Sequence, residues 1–551
     1  MYKKYFITAL PFLSALISWL SYPPADISLF AWISYIPLFF YLFIKSKQDG
    51  LFIRHFPFVS LSGFKFILTI YLAGMLFFVL GLSWLRHVTG VGLFVIPLIL
   101  SLYWVIFAII CYFIIRFVSL FYAVLCILCL WVFLEYLRSF MLTGFPWFFA
   151  GHSQYHWLSL IQITDIVGVY GLSFIVILVN GVIFLLIKQR FILSIKNIIL
   201  VGITLLLFIG SILYGNWRLD NLTTIDGPAI GIIQANIEQS LKNNPAKAED
   251  IYQKHLDLTF ELIKSQARPD LIIWAESMFP YLILLDDEEV VTTLTDTALL
   301  CRTPMLIGVL TCIESDTEQY RFVTREGEKT YHIKIFNSAC YLGSNGEIIN
   351  RYDKIHLVPM SEYVPFRKIF PIMDDIILAF SELPYIAGIS PGTNSEPFTL
   401  SVKRDNQPIK DYKYGVLICY ESIFPELARG SVRRGADFII NISNDGWFNN
   451  SAELDQILAI SAFRAVENRT PFVRATNTGI SAIIHPSGKI NILRNDQGQS
   501  KEVEGSWVEY VPVLQKSGSF YTHYGDYFPY FCLIIFCIII LLKYIKILDK
   551  K

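Results

Sequence analysis

Long apolar blocks fill the N-terminal part of the chain, broken only by short polar hinges. A helix needs about 20 apolar residues to cross a bilayer's hydrocarbon core. Stretches at about 5–22, 27–44, 64–85, 91–115, 118–137, 164–187, 196–215 and 526–546 meet that requirement, so eight spans are expected. The first imitates a secretory signal, because Lys3 and Lys4 precede an apolar run. It lacks a small-residue cleavage site and meets Tyr22-Pro23-Pro24 before another apolar block, so it reads as a retained helix.

Between 217 and 525 the pattern changes. Charges become frequent, and short apolar runs alternate with turn signals such as Ser344-Asn345-Gly346 and Pro486-Ser487-Gly488. Ala229–Gln234, Leu271–Trp274, Met305–Leu310, Ala339–Leu342, Gly415–Ile418 and Phe438–Ile442 read as strands. Leu454–Glu467 has one apolar face at helical spacing, carried by Leu454, Ile457, Leu458, Ala462, Ala465 and Val466. Strands alternating with helices predict a layered α/β domain. The expected organisation is a seven-helix transmembrane domain over 1–216, a folded domain over 217–525, and a last span with a tail over 526–551.

Composition agrees with a membrane protein: 54% of residues are hydrophobic and only 16% charged. Net charge is +0, which offers nothing to a nucleic acid. Lys3, Lys4, Lys45, Lys47, Arg54, Lys65, Arg116, Lys188, Arg190 and Lys196 fall on one side of the expected spans with the C-terminal lysines, against Arg86 and Arg138 on the other. The positive-inside rule makes the first side cytoplasmic, so both termini are expected inside and 217–525 outside. Glu135 and Arg138 near a span end are expected to pair or snorkel, and Asp165 and Asn180 to hydrogen-bond between helices. Cys126 and Cys129 have metal-site spacing but lack polar company and read as packing, while Cys301, Cys312 and Cys340 can pair or stay reduced.

Three apolar runs end in reactive groups. DLIIWAESMFP delivers Glu276, NRYDKIHLVPMSEYVPF carries Lys354 and Glu362, and GVLICYESIFPE delivers Cys419. A carboxylate can take a thiol proton, the thiolate can attack a carbonyl, and a lysine can stabilise the oxyanion and lower the thiol pKa. Each also has a plain reading. A cysteine ending a buried strand is more often a filler, a glutamate there a surface charge, and Lys354 beside Asp353 a solvated pair.

Together these stretches resemble the Glu-Lys-Cys motifs of the nitrilase superfamily. With the eight expected spans they resemble the apolipoprotein N-acyltransferase family, and GFPWFFAGHSQY, IIQANIEQSLK, NISNDGWF and RAVENRTPFVRATNTG match it too. The resemblance implies an α-β-β-α nitrilase-like domain on the periplasmic side of a bacterial inner membrane. It implies Glu276 as general base, Lys354 as oxyanion stabiliser and Cys419 as nucleophile. Glu362 would position the lysine or assist proton transfer, while Tyr420 and Glu421 would shape the acyl-enzyme pocket. The implied reaction moves an acyl chain from a phospholipid, through a cysteine thioester, to the N-terminal diacylglyceryl-cysteine of an apolipoprotein. No cofactor or metal is implied, and the expected state is a monomer. A membrane-tethered amidase with the same triad is the alternative, and a non-catalytic transporter or scaffold a more distant one. A sugar-transferring domain, present in some relatives, is not expected after the last span.

Two departures from the family pattern stand at Asn243, where a tryptophan is common, and at Asn449, where glycine is. The expected lids over the site are Phe366–Leu383 and Asn444–Asn450, with a core helix as the even alternative for the first. His152 is expected to be structural, with a phospholipid head group as the other reading.

Overall fold

A computed structural model describes residues 2–48, 60–90, 92–192, 194–242, 244–265, 268–285, 288–316, 320–324, 327–364, 388–404, 408–515 and 517–548. The chain divides into two compact units. One holds residues 1–86, 90–221 and 524–551, and the other 87–89 and 222–523.

The first unit is helical. Among the described residues, seven helical segments are long and apolar enough to cross a membrane, and Tyr5–Trp19 is a shorter apolar one. The eighth expected span is therefore the short segment at the N-terminus. The expected span over 27–44 is broken: a 3₁₀ turn over Ser28–Trp32 is followed by a helix over Ile36–Ser46. Pro37 marks that second start, since proline suits the first helical turn. The backbone freed by the break has partners. Asn180 accepts from the Tyr35 N–H at 2.9 Å and donates to the Ala31 carbonyl at 2.8 Å. Asp165 likewise joins two helices, accepting from the Tyr214 hydroxyl at 2.9 Å and from Arg218 at 3.1 Å. Glu135 and Arg138 are both buried but make no ion pair with each other. Glu135 accepts from Trp131 and the Ala150 N–H, while Arg138 donates to the Trp147 carbonyl. His152 is buried, stacks on Phe149 and accepts from its N–H. None of the nine cysteines is in a disulfide.

The second unit is a sandwich of two sheets. Its strands are β1 (Ile225–Gln234), β2 (Leu271–Trp274), β3 (Ile283–Leu284), β4 (Met305–Glu314), β5 (Tyr320–Thr324), β6 (Gly327–Tyr331), β7 (Ile333–Leu342), β8 (Ile348–Asp353), β9 (Phe398–Val402), β10 (Lys410–Ile418), β11 (Phe438–Ser443), β12 (Phe472–Thr476), β13 (Ala482–Ile484), β14 (Ile490–Ile492) and β15 (Gly505–Val513). Among the described residues, one sheet runs β15-β1-β2-β4-β7-β8 with β3 beside β4, and the other β14-β13-β12-β11-β10-β9. The strands β5 and β6 form a separate hairpin.

One apolar cluster joins the inner faces. Ile232, Ile273, Leu306 and Tyr341 of the first sheet pack with Tyr414, Val416, Ile440 and Val473 of the second. Helices close both outer faces. Ala248–Ser265 and Glu288–Cys301 cover the first sheet through Leu258, Leu262, Leu294 and Ala298. Pro425–Arg433 and Ala452–Asn468 cover the second through Ala428, Val432, Leu458 and Ala465. Strands covered on both faces read as unbroken apolar runs, so β2 appears in the sequence with its true limits.

Strand direction gathers the site. β2 is parallel to β4, and β7 lies antiparallel between β4 and β8, so β2, β4 and β8 all run the same way. β10, β11 and β12 are mutually parallel. The C-terminal ends of these strands release the side chains described next.

Candidate active site

Glu276 lies just beyond β2, and the space for it comes from Gly308 on β4. A Cβ at Gly308 would stand 2.3 Å from the Ala275 carbonyl and 2.7 Å from the Glu276 Cα. Lys354 follows β8 directly, and its backbone N–H bonds the Asn337 carbonyl of β7 at 2.8 Å. Cys419 follows β10 with φ +53° and opens a 3₁₀ turn over Cys419–Ile423. That left-handed conformation is strained for a side-chain-bearing residue. It is held by its own carbonyl, which accepts from Ser422 at 3.0 Å and from Asn441 at 3.3 Å. Asn441 is gripped in turn by Arg474 at 2.6 Å, and Arg474 pairs with buried Asp445.

These residues meet. The Lys354 ammonium stands 2.9 Å from Glu362 Oε1 and 3.5 Å from Glu276 Oε1. Asn337 Nδ2 bridges the two carboxylates, donating to Glu276 at 2.8 Å and to Glu362 at 3.0 Å. Glu276 Oε2 accepts from the Asn444 N–H at 2.9 Å, and Glu362 Oε2 from the Val358 N–H at 2.7 Å. Glu276, Lys354 and Asn337 are buried.

The electrostatics follow from this packing. Burial raises the Glu276 pKa, but Lys354, Lys242 and the hydrogen bonds from Asn337 and Asn444 outweigh it and hold the carboxyl below its usual value. Burial opposes the charge on Lys354, yet Glu362 and Glu276 raise its pKa well above the ordinary lysine value. The Cys419 thiol is pushed far up, first by burial and then by the Glu276 charge, with Lys354 pulling only partly against them. The expected lowering of the thiol pKa by lysine is present but outweighed. Two carboxylates already claim that ammonium, so the resting thiol keeps its proton and needs a base. An ionised Glu276 beside a neutral thiol is suited to take it.

Tyr420 is half-buried and packs edge-on against Phe424 at 5.0 Å, near His356. Burial raises its pKa. Glu421 is held from several sides. It is fully buried and accepts from the Tyr352 hydroxyl and from the N–H groups of Ile355, His356 and Ile418, at 2.7–2.9 Å. Its carboxylate thus braces the segment after Lys354 against the strand that presents Cys419.

Asn337 is absent from the sequence expectations, while Asn444 and Lys242 lie in the matched stretches NISNDGWF and IIQANIEQSLK without a role of their own. The one signal was Asn337-Ser338 in the middle of an apolar strand, where a buried polar pair needs partners. Lys242 is half-buried and donates to Ser277 Oγ at 3.0 Å, one residue beyond Glu276. Of the expected lids, Phe366–Leu383 lies outside the described residues, as does Asn243. The other begins as part of the floor: Asn444 and Asp445 are buried and tied to Glu276 and Arg474. Asn449 has φ +49°, a conformation that both glycine and asparagine accept.

Comparison with known proteins agrees with both units. Residues 14–182 match the family model for the apolipoprotein N-acyltransferase N-terminal domain, and residues 229–501 the model for carbon-nitrogen hydrolase. A Geobacter metallireducens protein named apolipoprotein N-acyltransferase is 35% identical, over 73% of this chain and 71% of its own. One of the same name from Pasteurella multocida is 31% identical, over 76% and 77%. Among solved structures, Saccharomyces cerevisiae Nit3 of the nitrilase superfamily aligns at 19% identity, covering 52% of this chain and 91% of its own, with a TM-score of 0.35.

Proposed function

The chain belongs to the apolipoprotein N-acyltransferase family, and from that premise we propose how its residues carry an acyl chain between two lipids. It is a membrane enzyme with a carbon-nitrogen hydrolase domain. The observation that supports this mechanism is the meeting of Glu276, Lys354, Glu362 and Cys419 at one end of the two sheets.

In the first half-reaction Glu276 takes the Cys419 proton as the sulfur attacks the sn-1 ester carbonyl of a phospholipid. Lys354 stabilises the oxyanion, and Glu362 keeps the ammonium in place. Collapse breaks the ester C–O bond, and Glu276 returns its proton to the leaving glycerol oxygen. A thioester and a lysophospholipid remain. In the second, the α-amino group of a diacylglyceryl-cysteine attacks the thioester and gives a proton to Glu276. The C–S bond breaks, an amide forms, and the thiolate recovers the proton. The domain would work on the periplasmic face of a bacterial inner membrane, as a monomer, without a cofactor. A tethered amidase would run the first half in the same way and then use water, but the relatives' names favour transfer.

Mass spectrometry of the protein after incubation with phosphatidylethanolamine, beside Cys419→Ala, tests this. One fatty acyl chain should appear on Cys419 and pass to a diacylated lipopeptide. An adduct discharged by water alone would instead establish the hydrolase, and no adduct on a folded domain would remove Cys419 from the chemistry.

A further inference from the structure

Two carboxylates, Glu276 and Glu362, share one ammonium at the centre of the site, so that cluster would repel an anion. A phospholipid donor brings an anion of its own, a phosphodiester on the same glycerol as the reacting ester. The acceptor's diacylglyceryl-cysteine has none. Donor binding therefore calls for a second cation.

Lys242 meets the requirement. The short turn Gln239–Lys242 is tied to the site at both ends. Gln239 accepts from Asn444 Nδ2 at 2.8 Å, and the Asn444 N–H holds Glu276. At the other end Lys242 donates to Ser277 Oγ. The ammonium interacts electrostatically with both Glu276 and Cys419, and burial pulls its pKa down to about 8. Among the described residues Ser277 is its one hydrogen-bond partner, while an ammonium offers three donors. A partly desolvated cation with donors to spare, beside the nucleophile, gains by taking up an anion.

We propose that Lys242 is the phosphodiester subsite of the acyl donor, acting in the first half-reaction and not in the second. This rests on the acyl-transfer reading above. The side chain anchors the donor by its phosphate so that the sn-1 carbonyl is presented to Cys419. In the second half-reaction the lysophospholipid has gone, and the thioester is attacked by a substrate with no phosphate for Lys242 to hold.

The test is single-turnover acylation of Cys419 in the full chain, followed by intact mass, with Lys242→Gln and Lys242→Arg. Two donors are used: phosphatidylethanolamine and an uncharged p-nitrophenyl fatty ester. Lys242→Gln should slow acylation by the phospholipid about tenfold or more, the scale of one charge-assisted hydrogen bond. Lys242 also helps to hold Glu276 ionised, so Lys242→Gln should slow the uncharged ester and the discharge of preformed acyl-enzyme to a diacylated lipopeptide by one common, smaller factor, while Lys242→Arg should recover most of the phospholipid rate. Slowing of the phospholipid reaction by no more than that common factor would overturn the subsite and leave Lys242 only the tuning of Glu276. An unaltered phospholipid rate would overturn it as well. Wild-type enzyme that accepts no acyl chain from either donor would overturn the acyl-transfer reading itself, and the subsite with it.

Discussion

Replacing Asn337 with leucine, which is close to it in size, removes the amide that joins Glu276 and Glu362 and leaves both carboxylates in place. A hydrogen bond to a charged group is worth about 1.5–3 kcal/mol. The lower end applies here, because Glu276 keeps the Asn444 N–H at 2.9 Å and Lys354 at 3.5 Å. About 1.5 kcal/mol of lost stabilisation of the carboxylate corresponds to about one pH unit. Glu276 must be ionised to act, and its pKa is now held down, so losing the amide moves the acid limb of the acylation rate toward neutral pH. The same sign governs stability. A carboxyl depressed on folding stabilises the fold above its unfolded pKa and loses that contribution as pH falls, and the variant loses it sooner. The assay is single-turnover acylation of Cys419 by phosphatidylethanolamine, followed by intact mass from pH 4 to 8. The limb of Asn337→Leu should lie about one pH unit above wild type, with a rate about tenfold lower on the acid side of both limbs and little changed at pH 7. Asn337→Asp, which adds a third carboxylate, should move it further. A limb that stays put, or moves to lower pH, would refute the assignment of Asn337 as one of the groups that keep Glu276 ionised.

Other positions give separate tests. Gly308→Ala drives a methyl into the Ala275 carbonyl and the Glu276 backbone, and a shift of about 1 Å there should lower kcat about a hundredfold while circular dichroism shows the fold retained. Glu421→Gln turns an amide N–H toward backbone N–H groups, which should cost about 2 kcal/mol in thermal unfolding. Burial pushes the Glu421 carboxyl up to about 7 from the usual 4.5. An acid raised on folding holds its proton more tightly when folded, so its contribution to stability declines as pH climbs from 4.5 to 7. The glutamine variant should lack that decline, and an identical pH dependence would contradict the buried brace.

How much of this could be read from the sequence depended on where each side chain sits. Glu276 and Cys419 stand at the ends of strands covered on both faces, whose apolar runs stop where the reacting groups begin. Those positions stood out as places before their chemistry was considered. Asn337 did not, because a strand's sequence does not say which buried polar group faces a carboxylate 61 residues away. Lys242 and Asn444 lie in turns within the matched stretches IIQANIEQSLK and NISNDGWF, where a sequence match does not say which polar side chain reaches the carboxylate. The partners of Glu421 were not legible, because the left-handed backbone at Cys419 redirects the chain and spacing along the sequence no longer tells where the next side chains point. In the helical unit, hydropathy merged Ser28–Trp32 with Ile36–Ser46, since a turn whose free N–H is taken by Asn180 remains as apolar as a helix.

The left-handed turn at Cys419 also sets abundance against activity within one codon. Glycine adopts that conformation without the side-chain penalty of about 1–2 kcal/mol that cysteine bears. Cys419→Gly should therefore melt above Cys419→Ala and reach higher levels in cells, although neither can form a thioester. A screen that rewards yield would enrich the inert glycine allele, and drift at this codon would be opposed only by the demand for the reaction itself.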